Sequence, residues 1–177
     1  MGRRLVVVMA ALVFILASDG KNAVLAGEVE KRAVEMGHSV ITVHLNAYDF
    51  PVYTVALERK TDVLEGLESL SETLSKGDAW MVFAPEYNGS IPPVLNNAIA
   101  WLSRDGNDFR KLFRDRTVAL ATHSGGGGHH VITAMRMQFS YLGSNVIGRS
   151  LTVNSKKSAN LDTIKAILNS LTGGQQS

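Results

Sequence analysis

The sequence predicts an α/β domain in three layers, a five-stranded parallel sheet with helices on both faces. Short apolar runs alternate five times with segments whose apolar residues recur at helical spacing. One run, Ala79-Trp80-Met81-Val82-Phe83-Ala84, is uninterrupted, as expected of a strand buried on both faces of a parallel sheet. Polar loops follow three of the runs, at 18–22, 85–90 and 123–130, where the carboxyl ends of parallel strands line a ligand crevice.

In chain order, residues 12–17 supply strand one and 18–22 a loop. Leu25, Val29, Ala33 and Met36 then stripe a first helix that stops at Gly37. Strand two spans 39–45 and is followed by a loop over 46–54, with Phe50-Pro51-Val52-Tyr53 placed to touch a ligand or a partner subunit. A second helix is expected over 61–75, with Leu64, Leu67, Leu70 and Leu74 inward, and Gly77-Asp78 turns the chain into strand three. Helix three carries Val94, Leu95, Ala98, Ile99 and Leu102 on one face. Pro92 and Pro93 suit its first turn, with Ser90 as its N-cap. After a turn at 105–108, strand four covers 117–122, and Val131, Met135, Phe139 and Leu142 stripe helix four up to Gly143. Strand five covers 145–153, and a last helix bears Leu161, Ile164, Leu168 and Leu171 before a frayed tail at 173–177. Five such units, joined by right-handed crossovers, match the strand order 2-1-3-4-5, whose switch point lies between strands one and three. No repeat or linker divides the chain, so residues 1–177 form one domain.

Composition narrows the function. With 45% hydrophobic residues the chain is of globular type, and 18 basic against 16 acidic side chains leave no electrostatic footprint for nucleic acid. The absence of cysteine excludes disulfides, thiolate nucleophiles and Cys-based metal sites. Arg3-Arg4 and the thirteen apolar residues 5–17 resemble the start of a signal peptide, and a Val24-x-Ala26 step offers a cleavage site. The run is too short to span a bilayer, and cleavage there would remove strand one. A cytoplasmic protein with no membrane partner is expected.

Each loop has its own chemistry. Ser18, Gly20, Lys21 and Asn22 stand where a helix start presents free N–H groups to an anion, with Lys21 as counter-charge. An ordinary cap, with Ser18 and Asp19 satisfying those N–H groups, is the competing reading. Pro85, Glu86, Tyr87, Asn88, Gly89 and Ser90 offer a flat aromatic, an amide and close backbone approach, or simply a turn between buried elements. In the third loop, His123 and Ser124 are candidate donors, while Gly125 and Gly126 let a ligand approach the backbone and Gly128 serves as a hinge. Its histidines suggest no metal site, because adjacent His129 and His130 diverge by about 100° on a helix and no carboxylate stands nearby.

The run Pro85-Glu86-Tyr87-Asn88-Gly89-Ser90-Ile91-Pro92, followed by Leu95, Asn97-Ala98-Ile99 and Trp101-Leu102-Ser103-Arg104, closely resembles the signature of the NADPH-dependent FMN reductase family. The resemblance covers most of the chain and is strongest over 78–104. It implies a flavodoxin-like fold that binds FMN at the switch point, with phosphate on loop one and the isoalloxazine ring against loops two and three. It implies an oxidoreductase that takes a hydride from NADPH or NADH and passes electrons in ping-pong fashion to a small-molecule acceptor, whether quinone, flavin, azo compound or metal oxyanion. No protein nucleophile is needed and no catalytic residue is assigned; Glu86 is read as anchoring the loop or meeting a partner subunit rather than abstracting a proton. Family members commonly pair, which implies a homodimer or homotetramer and places Trp101 either in the core or at a subunit interface. The third loop and Arg136, with Leu142-Gly143, follow the family as well.

Loop one departs from the family pattern Gly-Ser-x-Arg-x-x-Ser-x-Asn. Ala17 replaces the Gly, the Arg and second Ser are missing, the Ser18–Asn22 spacing is short, and Asp19 would repel phosphate if it pointed inward. Lys21 and the N–H groups of helix one are expected to substitute for the Arg. Two other readings stand beside the enzyme: an FMN-binding electron carrier or redox sensor, against which the near-neutral charge argues, and a degenerate member that has lost FMN.

Overall fold

The computed structural model describes residues 9–104 and 107–173. Arg3-Arg4 with the start of the apolar run, the turn at Asp105-Gly106 and the tail beyond Gly173 lie outside them.

Five parallel strands, β1 (Ala11–Leu16), β2 (Ser39–His44), β3 (Ala79–Phe83), β4 (Thr117–His123) and β5 (Asn145–Val153), form one sheet in the order β2-β1-β3-β4-β5. Every residue of β3 is buried, as its unbroken apolar composition requires of a central strand. Because side chains alternate across a strand, each strand feeds two cores. Val13, Ile15, Trp80, Val82, Val118 and Leu120 face α3 (Leu67–Ser75), α4 (Pro93–Leu102) and α5 (His129–Tyr141). Leu12, Phe14, Met81, Phe83 and Ala119 face α1 (Lys21–Glu35) and α6 (Leu161–Leu171).

The second helix differs from its expected span. Gly66, left-handed at φ +79°, breaks the helical run, so α3 begins only at Leu67 and Leu64 stays half-buried ahead of it. The preceding segment instead holds a 3₁₀ turn (Leu45–Ala47) and a one-turn helix, α2 (Val55–Glu58), capped by the Thr54 hydroxyl accepting from Leu57 N–H at 3.1 Å. Ser90 is not the cap of α4. Pro92, in extended geometry, takes that position with Pro93 at the first turn, where a missing N–H costs nothing.

The loop after β2 is tied down onto α4. The Asn97 amide donates to Phe50 O (3.2 Å) and Pro51 O (3.1 Å) and accepts from Tyr53 N–H (2.8 Å). Trp101 is fully buried and donates Nε1–H to Pro51 O (2.7 Å), so its ring belongs to this chain's own core. Where β5 meets β4, the register slips between Val118 and Leu120. Arg136 on α5 gathers the displaced carbonyls, donating to Ile147 O (2.8 Å), Gly148 O (3.2 Å) and Val146 O (3.4 Å).

His38, buried beside the start of β1, accepts the Ala10 N–H at Nδ1 (3.3 Å), and burial pushes its pKa below the ordinary value. The fold therefore holds the ring neutral, whereas the unfolded chain protonates it below a pH of about 6.5. Stability should be complete above that pH and decline as pH falls toward the depressed folded value. Urea midpoints measured between pH 8 and pH 5.5 check this, with a shallower dependence expected for His38→Gln.

Candidate functional site

The strands end at one edge of the sheet, β4 and β5 two residues beyond β1 and β3, which brings their loops together. Ala17 N–H donates to Phe83 O (2.9 Å), Ala84 N–H to Ala121 O (3.1 Å) and Ser124 N–H to Val153 O (3.0 Å). Beyond these bonds the chain leaves the sheet from β1, β3 and β4 side by side. Side chains then join the loops to one another.

Asn22 joins the first to the third. It is 2% exposed, and its amide accepts from His123 N–H (2.7 Å) while donating to His123 O (3.1 Å). A buried carboxamide left unsatisfied costs about 1–3 kcal/mol, so this reciprocal pair fixes the start of α1 against the end of β4. The Asn22 side chain, expected to face a ligand, is thus engaged within the protein, and its backbone N–H is what it brings to the helix start.

Glu86 joins the second loop to the third. Its N–H donates to the buried Ser124 hydroxyl (2.9 Å), which also bonds Thr122 Oγ1 at 2.6 Å. Its carboxylate accepts from His130 N–H (3.1 Å) and Val131 N–H (3.2 Å), satisfying the first turn of α5 from another loop. Glu86 is a loop anchor, as expected. Ser124 is engaged by the same network.

Between these anchors the second loop turns outward. Tyr87 and Ser90 exchange backbone bonds (3.1 and 2.9 Å) across Asn88 and Gly89, both at positive φ, the two-residue reversal for which Asn-Gly is favoured. Tyr87 is 51% exposed, and Asn88, Gly89 and Ser90 are exposed beside it. Pro85 and His123 are half-buried, while Gly125 and Gly126 are exposed. Gly128 is not a hinge. It is left-handed at φ +72°, caps α5, and lies so close to β4 that a Cβ would meet Thr122 Cγ2 at 2.3 Å.

The first loop settles the competition between a cap and an open helix start. No side chain caps α1. Gly20 stands at the N-cap with open space around it, and Lys21 is exposed at the first helical position. Asp19, the loop's one acid, leans toward β2, where it accepts from Asn46 Nδ2 (2.8 Å) and His44 Nδ1 (3.0 Å). The Asn46 amide and then the His44 ring hold its carboxyl below the usual carboxylate range. These partners escaped the sequence reading; a histidine ending strand two with an asparagine two residues on was the only trace of them.

The family described as NADPH-dependent FMN reductase matches residues 9–158, nearly the whole described chain. This chain belongs to the NADPH-dependent FMN reductase family. A quinone reductase of Escherichia coli (strain K12) is 38% identical over 56 residues, 32% of this chain and 30% of that protein. A probable NADPH:quinone oxidoreductase 2 of Oryza sativa is 27% identical over 120 residues, 68% of this chain and 57% of the rice protein. Among solved structures, FerB, a flavoenzyme NAD(P)H:(acceptor) oxidoreductase from Paracoccus denitrificans, superposes with a TM-score of 0.74 at 20% identity, covering 94% of this chain and 95% of its own. An azoreductase from Bacillus anthracis does so at 0.60 and 16%, covering 93% and 98%. Both confirm the flavodoxin-like fold.

FMN is the family's cofactor and a reduced nicotinamide its electron donor. The residues present fit such a group in one decisive respect: the helix start at the switch point is uncapped, and the adjacent acid is turned aside. Gly128→Ala should lower stability by about 2 kcal/mol or more, through the clash with Thr122 and the left-handed backbone. Urea unfolding of the two proteins measures it, and a loss below about 0.5 kcal/mol would show that the α5 start yields freely.

Proposed function

We propose that this chain is an NAD(P)H-dependent FMN oxidoreductase that delivers electrons from a reduced nicotinamide to a small-molecule acceptor, whether quinone, flavin, azo compound or metal oxyanion. The observation that carries the reading is the uncapped start of α1, facing the second and third loops across the carboxyl edge of the sheet, in a chain matched to the family over 150 residues. The names of the bacterial and plant relatives favour a quinone among the acceptors.

Bound FMN supplies a two-electron carrier that accepts hydride from the nicotinamide and passes reducing equivalents on. The protein's part is to bind, orient and stabilise charge. The N–H groups at the start of α1, the Ser18 hydroxyl and the Lys21 ammonium would hold the phosphate. Backbone groups of Glu86 to Ser90 and of Ser124 to Gly126 would meet the polar edge of the ring, with Tyr87 and Asn88 shaping its outer side. Rigidity comes from Asn22 and Glu86, which lock the three loops together. Tyr87 to Ser90 are exposed, so a ring held there would occupy a shallow site, in keeping with exchange of donor and acceptor at one place.

The chain works in the cytoplasm as a homodimer or homotetramer in this reading, on the pattern of the family. Among the described residues no helix is long and apolar enough to cross a membrane.

The test is an absorption spectrum of protein loaded with FMN and passed through gel filtration, then mixed with NADPH or NADH without oxygen. Co-eluting flavin bands that bleach with a nicotinamide are expected. Bands that persist with both donors would favour an electron carrier, and protein that takes up no flavin would overturn the reading. Lys21→Glu should weaken FMN binding by about tenfold or more, because it places a negative charge at the helix start. Unchanged affinity in a fluorescence-quenching titration would remove Lys21 from the phosphate site.

A further inference from the structure

Asp19 stands one residue before Gly20, the N-cap of α1, where a carboxylate is near enough to the helix start for its charge and its oxygens to act there. Left to itself it has two ways to hinder an anion there. It can accept the free N–H groups that a phosphate needs, and it can repel the phosphate by its charge. It accepts none of those N–H groups, because His44 at the end of β2 and Asn46 two residues on hold its carboxylate on the β2 side. Asn46 Nδ2 donates to Oδ2 at 2.8 Å and His44 Nδ1 to Oδ1 at 3.0 Å, one donor on each carboxylate oxygen. The three residues are exposed, so packing does not fix this orientation; the two hydrogen bonds do.

We propose that His44 and Asn46 are positioning residues for the cofactor, which keep the start of α1 open to a phosphate by clamping Asp19 onto the β2 side. The proposal rests on the flavin reading above and extends it. In that reading the arginine of the family's first-loop pattern is missing and an acid stands nearby. Affinity then depends on withdrawing the acid as much as on the cation Lys21. The clamp also makes recognition selective for the phosphate: a flavin without one has nothing to gain from an uncapped helix start.

The test compares FMN with riboflavin, which has the same ring and lacks the phosphate, by fluorescence quenching on full-length apoprotein. The variants are Asn46→Ala, His44→Ala, Asp19→Ala and the double variant Asp19→Ala with Asn46→Ala, each checked by circular dichroism for intact folding. Asn46→Ala and His44→Ala are expected to weaken FMN about tenfold, the scale of a charge-assisted interaction at a helix start, with riboflavin unchanged. Asp19→Ala is expected to bind FMN at least as tightly as the parent, and on that background Asn46→Ala should have no further effect. Equal losses for FMN and riboflavin, or an undiminished loss from Asn46→Ala once Asp19 is gone, would overturn the clamp while leaving the flavin reading intact. A parent protein that binds neither flavin would overturn both.

Discussion

A single buried carboxamide does most to give this molecule a working edge. Asn22 satisfies both backbone groups of His123, and because it opens α1 while His123 ends β4, the pair spans the width of β3. Parallel strands bring loops to the same edge, but they do not by themselves hold the loops in register with one another. The carboxamide does so through two short bonds in a place where leaving either unmade is costly. The Glu86 carboxylate extends the same solution to the second loop by serving as the missing cap of α5.

These anchors divide the labour at the site. Polar side chains that look available in the sequence, Asn22, Glu86 and Ser124, are engaged in holding backbone. Backbone groups at the start of α1, in the exposed Tyr87 to Ser90 reversal and at the exposed Gly125 and Gly126 remain open to a ligand. A flavin is suited to such a surface, since its ring and phosphate are recognised by N–H groups and its chemistry is its own.

Much of the architecture was legible in the amino-acid order because burial on both sheet faces writes unbroken apolar runs, as in β3, and amphipathic helices write a stripe, as Leu25, Val29 and Ala33 do on α1. The errors fell where one residue outweighs a pattern. Leu64 keeps helical spacing with Leu67, yet Gly66 between them is left-handed and ends the run. Two prolines in succession set the cap of α4 at Pro92, two residues beyond the Ser90 that its hydroxyl suggested. The family motif pointed to the loops, but the orientation of each side chain within them depends on partners far along the chain. Glu86 meets residues 44 and 45 positions later, and Asp19 meets residues 25 and 27 positions later. No local pattern encodes such pairings.

The slipped register of β5 has a consequence beyond the site. This strand borders the sheet, and a straight border presents a row of unpaired backbone groups on which a strand from another molecule can build. Here the extra residues interrupt that row, Arg136 already holds three of the displaced carbonyls, and Arg149 adds an exposed charge just beyond them. An incoming strand would have to break those bonds and accommodate a cation before it could continue the ladder. The irregularity therefore blunts the β5 border of the sheet against edge-to-edge pairing.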